Sequence, residues 1–62
     1  MIDYIRKYYG MPNLKLGLKV RFRKRSGIIT STYHSYLRIK LDDDKRLRLV
    51  HPKDDDLEIL YS

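Results

Sequence analysis

The chain has 62 residues, a formal net charge of +6 and no cysteine. A chain of this length forms a single small domain with a thin core, and without cysteine it has neither a disulfide nor a thiolate metal site. Because its apolar runs are short and its first residues include Asp3, we expect no membrane-spanning segment and no secretory signal. We therefore predict a cytoplasmic protein that is a monomer or a small homo-oligomer.

The charge is distributed unevenly along the chain. Residues 1–40 contain ten basic side chains and one acidic one, whereas residues 41–62 contain four basic and seven acidic ones. This asymmetry predicts a dipolar surface, provided that the two groups lie apart in the fold. The excess of positive charge favours a polyanionic partner, and a need for solubility is the alternative explanation.

The first element in chain order is a short helix over about residues 2–9. Apolar residues such as Ile2 and Ile5 recur there at helical spacing, and Gly10 and Pro12 end the segment. Because so short a helix is not stable in isolation, we expect it to dock on the rest of the domain.

From residue 18 onward, apolar residues alternate with polar or basic ones, which is the period of a half-buried strand. Residues 18–23 and 28–33 are the first two predicted strands. The turn between them, at residues 24–27, ends in a glycine that is expected to take the positive φ of a hairpin turn.

Three further strands are predicted over residues 36–41, 45–51 and 57–61, and runs of three aspartates form the turns that separate them. In the second of these strands, Leu47 and Leu49 are expected to face the core. The basic residues beside them are then expected to face solvent.

Five short strands in about 45 residues fit a closed barrel better than an open sheet, since closure hides the strand edges. We therefore predict a mainly β fold, namely a small five-stranded SH3-like barrel with a short N-terminal helix across one opening. The barrel covers about residues 17–61, and residues 1–62 form a single domain.

Basic residues that alternate with apolar ones in three of the strands are the main candidates for a function. Lys and Arg on one face of a sheet neutralise phosphates and give salt-sensitive affinity for nucleic acid. The alternative is a solvated face whose charge the acidic turns balance. The predicted nucleic-acid-binding set also includes the first hairpin turn, and its basic members are Lys19, Arg21, Arg23, Lys24, Arg25, Arg38, Lys40, Arg46 and Arg48.

Six tyrosines are a large number for this length. Tyr33 and Tyr36 flank a predicted bend beside basic strands, where their rings would stack on unpaired bases, line a groove for a proline-rich peptide, or simply pack. We include both in the predicted nucleic-acid-binding set. The other four are expected to pack the helix onto the barrel: Tyr4, Tyr8, Tyr9 and Tyr61.

Neither a catalytic nor a metal-binding set is apparent in the sequence. The aspartate runs lack the alternate spacing, the glycine and the terminal glutamate of a calcium loop. The serines lack the context of an activated nucleophile, and there is no glycine-rich phosphate loop before a helix. We therefore expect a protein that is not an enzyme and that has no cofactor.

Two glycine-containing segments resemble a known pattern. Residues 17–22, Gly-Leu-Lys-Val-Arg-Phe, followed by residues 26–30, Ser-Gly-Ile-Ile-Thr, resemble the KOW/SH3-like pattern, in which one glycine precedes a strand and a second begins the next. Proteins of that type commonly bind RNA, ribosomes or the transcription machinery. The resemblance implies a similar class of partner for this chain.

A second resemblance covers nearly the whole chain. Residues 8–12, 27–30, 37–42, 51–52 and 60–61 are similar to a group of small, mostly uncharacterised bacteriophage and prophage proteins. This resemblance implies the small-barrel fold, a phage-encoded origin and a location in a bacterial host cell. It implies no site residues.

The sequence thus leads to two hypotheses. The first is a small phage-type protein that binds DNA or RNA through a basic strand face. The alternative is a protein-interaction module whose charge guides it to a host or phage protein. Whether the basic rows share one surface of the fold is the structural question that bears on this choice.

Overall fold

The computed structural model describes residues 2–61. The chain forms a short helix and then five antiparallel strands in one open sheet: α1 (Ile2–Tyr8), β1 (Lys19–Phe22), β2 (Arg25–Tyr33), β3 (Tyr36–Leu41), β4 (Leu47–Val50) and β5 (Leu57–Leu60). The strand order is β4-β3-β2-β1-β5, so the chain runs back and forth through four strands and then returns to place β5 beside β1. The prediction of a mainly β fold with one short helix is confirmed. Closure into a barrel is not confirmed, because the sheet is open.

The helix α1 ends in a Schellman-type cap. Gly10 takes a φ of 64°, and the backbone N–H of Met11 donates to the carbonyl of Arg6 at 2.8 Å. A glycine adopts this left-handed conformation without the steric cost that a side chain would add. The cap turns Met11 into the core beside Ile5, which is fully buried.

The hairpin between β1 and β2 is tighter than the sequence pattern predicts. Phe22 stands opposite Arg25, so the loop consists of only Arg23 and Lys24, which have φ values of 50° and 68°. Positive φ at both central residues is the conformation of a type I′ turn. The expectation that Gly27 supplies the positive φ is wrong, because Gly27 lies inside β2.

One face of the sheet carries the hydrophobic core. The helix and the segment that follows it cover this inner face, and the buried cluster draws residues from both and from β1 to β4. Burial of these side chains is the main source of stability in a domain this small. The members of the cluster are Ile5, Met11, Leu14, Leu18, Val20, Phe22, Ile29, Leu37, Ile39, Leu41 and Val50.

The register of β4 reverses the expected orientation of its side chains. Val50 stands opposite buried Leu37 and is itself buried, so the residues in phase with Val50 point to the inner face. Leu47 and Leu49 point the other way and are 50% and 53% exposed. The prediction that these two leucines are buried is therefore wrong. Val50, which directly follows Leu49, is the residue of this strand that enters the core.

A β-bulge in β2 adjusts which residues face outward near the second hairpin. The pairing with β3 shifts between Ile29 and Ser31, which leaves Thr30 as the extra residue. The Thr30 hydroxyl donates to the carbonyl of Arg38 at 3.2 Å. After the bulge, Ser31 pairs with Arg38 and Tyr33 pairs with Tyr36, on the face opposite the core.

Candidate nucleic-acid interface

The face of the sheet opposite the core, here called the outer face, carries a row of side chains that crosses all five strands. Neighbouring strands pair these residues in register: Leu47 with Lys40, Lys40 with Ile28, Ile28 with Lys19, and Lys19 with Leu60. All five are exposed. Apolar and cationic side chains therefore alternate across the sheet as well as along its strands.

The next row on the outer face contains an arginine and an apolar neighbour. Arg38 of β3 stands between Leu49 of β4 and Ser31 of β2. Its guanidinium lies over the ring of Tyr33, 4.9 Å from the ring centroid. A cation placed over a ring in this way is attracted by the negative face of the π system. The contact links the basic surface to Tyr33 and its cross-strand partner Tyr36.

Four of the seven strand bases predicted to contact nucleic acid lie on the outer face, namely Lys19, Arg21, Arg38 and Lys40. Arg21 stands opposite Glu58 in the register of the β1–β5 pair, although no ion pair joins them. Among residues 2–61, Lys19, Arg38 and Lys40 form no ion pair. Unlike Arg21, these three have no acidic residue opposite them in the sheet.

The basic residues of the first hairpin turn lie at one end of the sheet. Arg23 donates from Nε to Asp56 at 3.1 Å, and its backbone N–H donates to the Asp56 carbonyl at the same distance. Lys24 follows it in the turn and is exposed. Arg23 therefore fastens the turn to the segment before β5, whereas Lys24 forms no ion pair with residues 2–61.

Arg25 belongs to an ion-pair cluster rather than to the outer face. Its guanidinium donates to Asp43 at 2.8 Å and lies 3.9 Å from Asp44. The hydrogen bond from Arg25 lowers the pKa of the Asp43 carboxyl below its ordinary value, and the same bond raises the pKa of Arg25. This cluster joins the turn between β3 and β4 to the start of β2.

Arg48 also lies apart from the outer face, and Arg46 directly precedes β4. Arg48 is in phase with buried Val50 and donates from Nε to Asp44 at 3.0 Å. The Asp44 carboxylate also accepts the backbone N–H of Arg46 at 3.0 Å. This backbone bond is the main cause, and the Arg48 side chain the second, of the lowered pKa of Asp44. Of the seven predicted strand bases, four therefore lie on the outer face, Arg48 lies on the other side of the sheet, and Arg23 and Arg46 lie outside the strands.

Aromatic side chains form a continuous chain from the helix to the outer face, here called the aromatic band. Consecutive ring centroids lie 5.4 Å apart for Tyr4 and Tyr8, 4.9 Å for Tyr8 and Tyr9, 4.9 Å for Tyr9 and His51, and 5.9 Å for His51 and Tyr36. The first pair is stacked and the others meet edge to face. Both geometries are favourable for aromatic pairs. Tyr33, the strand partner of Tyr36, lies beside this end of the band, and its ring meets that of His34 edge to face at 4.4 Å.

His51 holds the centre of the band in place through two hydrogen bonds. Its Nδ1 accepts the backbone N–H of Lys53 at 3.0 Å, and its Nε2 lies 3.1 Å from the Tyr9 hydroxyl. Because Nδ1 is the acceptor, a neutral ring carries its proton on Nε2 and donates it to Tyr9. The helix end and the segment after β4 are thereby joined.

The tyrosines divide differently from the sequence prediction. Tyr9 is half-buried against the core, as expected for a residue that packs the helix. Tyr4, Tyr8 and Tyr61 are exposed by 53%, 67% and 50%. The expectation that these three pack the helix onto the sheet is therefore wrong.

Sequence reasoning missed two components of the interface. The sequence pattern predicts an ordinary strand position for Ile28 and a core position for Leu47, whereas both are exposed on the outer face. The participation of His51 in the aromatic band depends on contacts across 42 positions of sequence. The sequence indicates the aromatic band only in the helix, where the four-residue spacing of Tyr4 and Tyr8 places both rings on the same side of the helix.

No protein-family model, curated protein or solved structure matches the chain. The helix that the structure describes is too short to cross a membrane. Within residues 2–61, no three His, Asp or Glu side chains converge in a way that would hold a metal ion.

Proposed function

We propose that the protein is a non-enzymatic module that binds nucleic acid through the outer face of its sheet. The observation that carries the proposal is the placement of Lys19 and Lys40 in one cross-strand row, with Arg38 in the next row and no carboxylate paired to any of the three among the described residues. The phosphate backbone of nucleic acid is a polyanion whose charges such a spaced set of cations can neutralise.

The ion pairs support the same assignment by contrast. Arg25 and Arg48 are held by Asp43 and Asp44, so their charges already have partners within the protein. The acidic turns thus balance bases on one side of the sheet and leave those of the outer face available. This separation produces a dipolar surface, which orients a polyanion toward one face.

The structural class and setting of this module are part of the proposal. The return of β5 to pair with β1, after a run of four antiparallel strands, supports an SH3-like barrel. The sequence resemblance to small phage proteins supports a phage-encoded origin, and with it a cytoplasmic location in a bacterial host. Nucleic acid, DNA or RNA, is the proposed partner.

The test is the affinity for nucleic acid as a function of salt. Three phosphate contacts give a slope of log K against log salt of about −2 to −3, so affinity falls by about 20-fold to 60-fold between roughly 50 and 200 mM salt. Fluorescence anisotropy with labelled single-stranded and duplex oligonucleotides measures this slope. Absence of binding to either form at low salt would refute the proposal.

A second candidate is a protein-interaction module that docks on a host or phage protein. The observation that favours it is the exposure of Leu47, Ile28 and Leu60 in the central row of the outer face, since apolar side chains on a surface often mark a protein contact. Affinity purification from host lysate with and without nuclease separates the candidates. Protein partners that survive nuclease favour the second, and partners lost with the nucleic acid favour the first.

A further inference from the structure

The aromatic band and the basic outer face meet at β3, and together they bear on which form of nucleic acid fits. Tyr36 belongs to both features, because it pairs with Tyr33 on the outer face and contacts His51 of the band. Arg38 lies over Tyr33 at the same place. A ligand that follows the cationic rows toward this end of the sheet therefore reaches exposed rings.

The exposure of the rings argues against a purely structural role for the band. A tyrosine that serves packing buries its ring, as Tyr9 does in part. Tyr8 is 67% exposed although it contacts the rings of both Tyr4 and Tyr9. The contacts fix the orientation of Tyr8 and still leave it open to solvent. A ring that is exposed and held in position by its neighbours loses little conformational freedom when a ligand stacks on it.

Unpaired bases are the groups that such rings accept. In a duplex, the bases are stacked on one another and the outside presents mainly phosphates and groove edges, so aromatic rings gain little from contact with it. In a single strand, every base offers a π face, and stacking on an aromatic side chain is favourable for any base. The aliphatic side chains of Ile28 and Leu47, exposed between lysines, likewise suit a ligand that alternates apolar bases with phosphates.

We propose that the ligand is single-stranded nucleic acid, whose phosphates contact Lys19, Lys40 and Arg38 and whose bases stack along the aromatic band as far as Tyr8 and Tyr4 on the helix. This inference rests on the proposed function and adds to it the strand type and two binding residues outside the sheet. A proline-rich peptide also fits exposed tyrosines. The polynucleotide is favoured because the rings adjoin a surface with several available cations.

Comparison of four probes tests the strand type. Labelled oligothymidylate and oligouridylate of about 20 nucleotides, a duplex of equal length and a proline-rich peptide are titrated with the protein at low salt. We expect the preferred single strand to bind at least about tenfold more tightly than the duplex. Equal or tighter binding of the duplex would overturn this inference and leave the proposed function intact. Failure of both nucleic acids to bind would overturn both, as would a peptide that binds more tightly than either.

Variants at Tyr8 test the band itself. Tyr8→Leu removes the ring from an exposed position, and we expect about a tenfold loss of affinity for the single strand with no change for the duplex. Tyr8→Phe retains the ring and is expected to bind as the parent does. Tyr61→Leu is the matched control, because Tyr61 is similarly exposed and has no ring contact among residues 2–61.

Thermal melting of each variant checks that the fold is retained. Since Tyr8 is mostly exposed, Tyr8→Leu is expected to melt within a few degrees of the parent, as Tyr61→Leu is. If Tyr8→Leu and Tyr61→Leu lower single-strand affinity to the same extent, the band is not part of the binding site. If Tyr8→Phe loses as much affinity as Tyr8→Leu, stacking is not the contribution of this residue.

Discussion

Leu47 stands directly opposite Lys40 in the β3–β4 pair, and both side chains are exposed on the outer face of the sheet. This pairing means that β4 contributes its two leucines to the basic surface and its single arginine, Arg48, to the other side. The consequence is a surface of mixed character, in which apolar side chains separate the cations. A single strand, whose exposed bases alternate with phosphates, fits this surface better than a duplex, which presents mainly phosphates.

The first prediction compares two leucines that the sequence pattern treats alike. Leu41→Ala removes a fully buried side chain and is expected to lower the free energy of unfolding by about 3 kcal/mol. Leu47→Ala, at a half-exposed position, is expected to change it by less than about 0.5 kcal/mol. Urea titration followed by circular dichroism measures both. A large loss for Leu47→Ala would show that β4 has the opposite register.

Periodicity alone predicted most of the architecture but not the orientation of β4. In β1 and β3, buried residues such as Val20 and Ile39 alternate regularly with basic ones, and only one orientation places them in a core. In β4, Leu49 and Val50 are adjacent apolar residues, so either phase buries something. The pairing of Val50 with Leu37 decides the phase and is a tertiary contact, and the local ion pair between Arg48 and Asp44 accompanies it.

The sequence pattern predicts the candidate interface only for the bases that lie in regular strands. Lys19, Arg21, Arg38 and Lys40 follow from regular strands, and the structure brings them to one face. The remaining bases depend on which acids the turns bring near them. Side-chain pairing across a fold of this kind is not encoded in local pattern, since the partners lie up to 33 positions apart, as for Arg23 and Asp56.

The second prediction concerns the close approach of β2 and β3 at Gly27. A Cβ atom on Gly27 would lie 2.5 Å from the carbonyl oxygen of Lys40 and 3.0 Å from the Cα of Leu41, and both are backbone atoms. Gly27→Ala is therefore expected to destabilise the domain by about 2 kcal/mol. Ser26→Ala, at the exposed neighbouring position, serves as the control and should cost less than about 0.5 kcal/mol. Equal stability of the two variants would exclude this close contact.

The third prediction concerns the strained hairpin turn. Lys24 has a φ of 68°, which is costly for a residue with a Cβ atom. Lys24→Gly relieves that cost, and after allowance for the greater freedom of glycine in the unfolded chain we expect a gain of about 0.5 to 1 kcal/mol. Lys45→Gly removes the same charge at an exposed position without positive φ, and no gain is expected there. Chemical denaturation of both variants gives the comparison.

The fourth prediction is a loss of stability in acid that involves the aspartates between β3 and β4. Folding lowers the pKa of Asp43 through its hydrogen bond with Arg25, and that of Asp44 through the Arg46 backbone N–H and then Arg48. A carboxyl whose pKa is lower in the folded state stabilises that state above its unfolded pKa of 3.8, and this contribution is lost as the pH falls through the folded pKa.

Melting temperatures recorded from neutral to acidic pH at low salt test this effect. The parent is expected to lose stability below the ordinary carboxyl pKa. Asp43→Asn and Asp44→Asn should be less stable than the parent at neutral pH and should lose less on acidification. Asp55→Asn, an exposed aspartate outside these ion pairs, is the control and should follow the parent. Parallel pH profiles for the parent and Asp43→Asn would contradict the assignment.

The fifth prediction separates the two sides of the sheet by the salt dependence of binding. Replacing Lys19 and Lys40 by Gln removes two cations from the outer face, and each lost phosphate contact lowers the slope of log K against log salt by about 1. Replacing Arg25 and Arg48 by Gln removes the same net charge from bases that Asp43 and Asp44 already hold. If general charge attraction governed binding, the two double variants would show equal slopes. If the outer face contacts the phosphates, only the lysine variant loses about two units of slope, while the arginine variant mainly loses stability. Anisotropy titrations across a salt series distinguish these results, and a greater loss of slope for the arginine variant would assign binding to the opposite side of the sheet.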